Sequence, residues 1–206
     1  MTADWNSYSI NTMRVWTIQP EEVASRLENG VPYRCVPEKS ELLYLDGEPD
    51  EMFTSAYNWM VRQLNTRVSP PPPGVTYPVW SWMKWHNQYR KPDLRYNMFD
   101  YARDKSLVII ELDVEDDLVL PSDFSGWHSV LNNSPLLNYD ELDELDIYWE
   151  ELSEKGLPLD YPEKWTGGFK EESWERIFDI HQDDVDTVQV CFWEITPEQV
   201  IKVYRR

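Results

Sequence analysis

Alternation and helical spacing divide the chain into readable blocks. Val15-Trp16-Thr17-Ile18 is a β-branched and aromatic run halted by Gln19-Pro20, which predicts a strand passing directly into a helix. Pro20 suits the first helical position, Glu21 and Glu22 the first turn, and Gly30 the exit, with Val23 and Leu27 on one face. Phe53, Ala56, Tyr57, Met60 and Leu64 recur at i, i+3, i+4, i+7 and i+11, so a second amphipathic helix should pack on a sheet. Pro70-Pro71-Pro72-Pro73-Gly74 cannot be helical. It feeds straight into Val75–Trp80, so it reads as a rigid connector ahead of a strand rather than an exposed SH3 ligand.

Trp80, Trp82, Met83 and Trp85 place apolar groups on more than one face of that strand, which is then covered on both sides or lines a pocket. Ser106–Val114 is the strongest strand, Leu118–Leu120 follows as another, and Ser122-Asp123 can cap a helix carrying Trp127, Val130 and Leu131. Residues 140–154 hold eight acids and no Lys or Arg around Leu142, Leu145, Tyr148, Trp149 and Leu152, an acidic amphipathic helix in an insertion spanning about 138–168. Prolines and glycines return at 157–168, before Trp174, Ile177 and Phe178. Thr187–Ile195 is a strand, Thr196-Pro197-Glu198-Gln199 a capping box, and Val200–Tyr204 a closing strand. The pattern predicts one α+β domain over residues 1–206, with a twisted, mainly antiparallel sheet flanked by helices.

Charge narrows the function. The 206 residues carry 19 Lys+Arg against 38 Asp+Glu, a net −19, which excludes a passive duplex-coating role and favours basic or small partners. Eleven Trp among 41% hydrophobic residues separate the chain from disordered acidic proteins. Gly-rich dinucleotide and P-loop motifs are absent. Cys35 and Cys191 form no CxxC, and His86 and His181 have no partner at ligand spacing, so neither a disulfide framework nor a metal site is expected. The polar opening and the lack of a long apolar run predict a soluble, cytoplasmic protein that makes no membrane contact.

Three groups of residues offer chemistry. Lys84, Arg90, Lys91, Arg95, Arg103 and Lys105 mix with Trp85, His86, Tyr89, Tyr96 and Tyr101, either as an anion-binding, base-stacking surface or as a solvated loop paired with Asp93 and Asp100. His128 and Asn132 are four apart on the predicted helix, a base beside an amide. Gln189, Cys191 and Trp193 share one strand face, and Glu194 interrupts the other. Glu194 is either a solvent-facing strand end or a cleft carboxylate suited to catalysis.

Several blocks resemble a small bacterial and phage family catalogued as a domain of unknown function. They are Trp16-Thr17-Ile18-Gln19, Pro37-Glu38-Lys39-Ser40, Ala56-Tyr57-Asn58-Trp59-Met60, Pro78-Val79-Trp80-Ser81-Trp82, Lys91-Pro92-Asp93-Leu94-Arg95, Ser122-Asp123-Phe124 with Trp127-His128 and Leu131-Asn132-Asn133, and Val188-Gln189 through Phe192-Trp193-Glu194. A first strand ending near Thr17, a Trp-bearing helix after Asp123, and a late strand with Gln189 and Glu194 also resemble the layout of ADP-ribosyltransferase-like domains. That resemblance implies an enzyme using NAD on a nucleotide or nucleic-acid acceptor. Glu194 and His128 would then be catalytic, Arg14, Gln19, Trp80, Trp82 and Arg95 would hold the dinucleotide, and Lys91, Asp93, Asp123, Asn132 and Gln189 would bind substrate. The Arg, Ser-Thr-Ser and Gln-x-Glu series of such enzymes has no clear counterpart here. The rival expectation is an acidic inhibitor of the DNA-mimic kind, docking a basic protein through 140–154.

Overall fold

A computed structural model describes residues 11–40, 43–45, 48–94 and 106–205. Strand β1 (Thr12–Pro20) leads into helix α1 (Glu21–Glu28), with Pro20 at the cap rather than inside the helix and Gly30 at φ +78° turning the chain away. The short β2 (Tyr33–Arg34) and the hairpin β3 (Tyr44–Leu45) and β4 (Glu48–Pro49) precede α2 (Glu51–Arg67). Asp50 caps α2 by accepting from the Met52 and Phe53 N–H groups. The four prolines form the expected connector, fastened by the Trp193 indole N–H donating to Ser69 O at 2.8 Å.

The connector delivers β5 (Val79–Lys84), followed by β6 (Leu107–Glu115), β7 (Leu120–Asp123) and α3 (Phe124–Leu131). The predicted strand at Leu118–Leu120 begins later than expected, because residues 116–118 form a single 3-10 turn. The acidic helix is α4 (Tyr139–Glu154), started by a capping box between Asn138 and Glu141. Helix α5 (Gly168–Trp174) follows, then β8 (Val188–Phe192), β9 (Glu194–Ile195) and β10 (Val200–Tyr204). The predicted strand 187–195 is broken at Trp193, and β9 leaves the main sheet to pair with β2.

Six strands make one sheet in the order β10-β6-β1-β5-β8-β7, and every neighbouring pair is antiparallel. With helices on the sheet, the architecture is α+β. One face, carrying Val15, Ile110, Leu112, Val190 and Phe192, is sealed by Val23, Ala24 and Leu27 of α1. The opposite face divides into two clusters. Ala56, Met60 and Leu64 of α2 and Trp127 of α3 cover Leu120 and Cys191, whereas Trp16, Trp82, Trp85, Leu94 and Ile109 form a separate aromatic group. Cys35 and Cys191 are both free thiols. Among the described residues no helix is long and apolar enough to cross a membrane, and no group of three or more His, Cys, Asp or Glu is placed to hold a metal ion.

Candidate functional site

The sheet has a fault between β1 and β5. Those strands share one register pair, Trp16↔Trp82, while β1 and β6 share nine from Thr12↔Glu115 to Pro20↔Leu107. Where the ladder lapses, a side chain bridges the strands: the buried Thr17 hydroxyl donates to Trp80 O at 2.8 Å and accepts from the Gln19 amide at 2.8 Å. Gln19 therefore tightens the seam from the α1 side.

Cross-strand partners point to the same face, so the register places Glu111, Trp16, Trp82, Gln189 and Ser122 in one row across five strands. Gln189 is 5% exposed and Ser122 is fully buried, yet Gln189 Nε2 and Ser122 Oγ have no hydrogen-bond partner among the described residues, a condition they share with Trp80 Nε1 and Ser81 Oγ outside the row. They lie where the two clusters of this face meet. The Trp82 ring packs edge-on against Phe124 at 4.8 Å, and Phe124 packs against His128 at 4.7 Å. His128 Nδ1 is 2.9 Å from Phe124 O, leaving its outer ring edge in solvent.

At the other end of the row, Glu111 is 8% exposed. Arg14 donates to its Oε1 at 2.5 Å and Tyr204 OH to its Oε2 at 2.6 Å, while Arg14 also bonds Asp113. Burial opposes ionisation of Glu111, but the bonds from Tyr204 and Arg14 outweigh it and hold the carboxyl below the ordinary range. A carboxyl depressed in the folded state adds stability above its unfolded value, about 4.5, and that stability is lost as pH falls through the lower folded value. Glu111→Gln should therefore flatten the acid limb of a stability–pH curve measured by urea unfolding, with the gap from wild type closing as pH drops.

Asp123, beside Ser122, caps α3 by accepting from the Ser125 and Gly126 N–H groups. Burial, together with the charges of Asp184 and Asp186, raises its pKa.

The expected site residues separate into those that converge and those that do not. Trp82, Gln189 and His128 lie at one corner of the sheet, and Arg14 and Gln19 brace β1 from either side, whereas Asp123 pairs with Val188, points to the opposite face and lines the groove beyond β7. Trp80 packs against Tyr57 at 5.5 Å and Trp127 at 5.0 Å, as Trp82 does against Phe124 at 4.8 Å and Trp85 at 4.9 Å. Glu194 is ion-paired with Arg34 at 2.8 Å on the small β2–β9 sheet, five residues beyond Gln189 and so roughly 16 Å away at strand rise. It is the strand-end, solvent-facing carboxylate. Asn132 is the exposed C-cap residue of α3. Lys91 lies over the Tyr204 ring at 5.4 Å, Asp93 is half-buried and engaged, and Arg95, Arg103 and Lys105 lie outside the described residues. Trp16, Ser122 and Glu111 were not singled out from the sequence. Each is one polar or large aromatic residue within its strand, which becomes informative only once the register aligns them.

A described groove of about 810 Å³ lies on the far side of β7, between α4 and residues 179–185.

These features define an α+β domain with a six-stranded antiparallel main sheet and a polar–aromatic row across its central fault. Residues 14–201 match the family described as Domain of unknown function (DUF3841), and the chain belongs to that family. No curated protein and no solved structure matches.

Proposed function

We propose that the protein is an ADP-ribosyltransferase-like domain that binds NAD across the β1–β5 seam, with the nicotinamide ring against Trp82. One observation carries this reading: two buried donors without partners, Gln189 Nε2 and Ser122 Oγ, stand in register beside Trp82. Leaving a buried donor unsatisfied costs about 1–3 kcal/mol, so two of them side by side are tolerated where a ligand supplies the acceptor. The carboxamide oxygen of nicotinamide is such an acceptor, and its flat ring matches an indole face.

Transfer would break the bond between nicotinamide and ribose C1′, the electron pair leaving with nicotinamide, and join C1′ to a nucleophile of the acceptor. Developing positive charge on the ribose favours a fixed negative group in a site that excludes water. Glu111 is the carboxylate of the row. Its oxygens are occupied by Arg14 and Tyr204, so it would not act as a base; Glu111 and Asp113 together outweigh Arg14 by one negative charge, and that net charge would serve. His128, separated from Trp82 by the Phe124 ring, would take the acceptor's proton. The acceptor would be a nucleotide or a nucleic acid. Arg34 holds Glu194 outside this arrangement.

Thermal unfolding with millimolar NAD, with the same samples assayed for free nicotinamide, tests the reading. Ligand at 100 times its dissociation constant adds about 2.7 kcal/mol, a clear rise in midpoint. A rise with nicotinamide release is expected. A rise without release would reduce the function to binding, and no rise would overturn it.

A further inference from the structure

The groove between α4 and residues 179–185 lies apart from the β1–β5 seam. Its floor is apolar, with Leu136, Leu142, Leu145 and Val185, and one end is closed by Trp149 and Tyr161, whose rings are 5.7 Å apart. Five aspartates line it: Asp123, Asp146, Asp179, Asp183 and Asp184. The single lining cation, Arg176, is already neutralised by two bonds to Glu141 at 2.6 and 3.2 Å. Asp146, Asp183 and Asp184 have no cation within ion-pair distance among the described residues.

The surroundings are unusually apolar for so acidic a region. Of the eleven large hydrophobic residues exposed among those described, two, Tyr139 and Leu142, line this groove. An apolar patch rimmed by charge marks an interaction surface.

We infer that this groove docks a basic segment of a partner protein, in which arginines or lysines alternate with apolar side chains. Apolar residues would fill the floor, while a guanidinium would meet Asp146 and the Trp149 and Tyr161 faces, an arrangement favouring cations on both electrostatic and cation–π grounds. Nucleic acid is excluded as an occupant, because phosphates would face five carboxylates. The docking edge is thus the inner side of α4 with the 179–185 loop, not the acid-rich outer face of the helix.

The test is a fluorescence-anisotropy titration of the full chain with a labelled peptide of arginines spaced by leucines, beside a matched glutamate peptide and a single-stranded DNA. The arginine peptide should bind, and weaken as salt rises. The combined variant Asp146→Asn, Asp183→Asn, Asp184→Asn, all at exposed positions, should lose about tenfold or more in affinity. The variant Asp143→Asn, Glu150→Gln, Glu154→Gln, which removes the same number of charges from outside the groove, should bind like wild type. Equal weakening by the two variants would reduce the effect to net charge and overturn the inference, as would failure of the arginine peptide to bind or preferential binding of DNA. None of these outcomes depends on NAD.

Discussion

Trp127→Ala is expected to lower the stability of the protein by about 3–5 kcal/mol, the cost of removing a buried aromatic side chain from a packed cluster. Trp127 is 3% exposed and joins the two helices of one face to the sheet, with ring contacts to Tyr57 at 5.7 Å and Trp80 at 5.0 Å. Its neighbours Ala56, Met60, Leu120 and Cys191 are drawn from three separate stretches of chain, so no single element can collapse to fill the gap. A domain of this size shifts its midpoint by about 2–4 °C per kcal/mol, so melting should begin some 6–20 °C lower. Trp127→Phe keeps the ring contacts and should recover most of the loss. Calorimetry of the three proteins checks this.

The second expected result runs in opposite directions for stability and for binding. Gln189→Leu conserves volume and removes a buried amide whose Nε2 has no partner, and Ser122→Ala removes a fully buried hydroxyl in the same condition. Deleting an unsatisfied buried donor is neutral or stabilising, so each variant should melt at or above the wild-type temperature. If these donors exist to meet a ligand, each should also lose about 1–3 kcal/mol of NAD affinity, roughly fivefold to over a hundredfold. A purely structural pair would show the reverse, with lower melting and no change toward NAD. Urea unfolding and NAD titration on the same preparations separate the two.

Much of the fold was legible from local pattern. The helix over 51–67 follows from Ala56, Met60 and Leu64 on one stripe, and the closing elements follow from the capping box at Thr196 and Gln199, because both are short-range signals. What local pattern does not contain is the partner of each strand. Periodicity puts Glu194 on the strand with Gln189, but the bend at Trp193 and the pairing Arg34↔Glu194 remove it to another sheet. The site was legible in the same partial way. Gln189, Trp82 and His128 stood out as polar or aromatic residues within apolar blocks. Their alliance with Trp16, Ser122 and Glu111 depends on register between strands separated by up to 173 positions (16 to 189), and that information is set by tertiary packing. The acidic helix was equally visible, but the groove on its inner face was not, since the opposing aspartates come from residues 179–184.

NAD is proposed to enter at the row Trp16, Trp82, Gln189 and Ser122. Isothermal titration of NAD into the wild-type chain, with Gln189→Leu run in parallel, tests it most directly. A saturable heat for wild type that weakens markedly in a variant no less stable is the predicted result. The absence of heat with wild type, or identical isotherms for the two proteins, would contradict it.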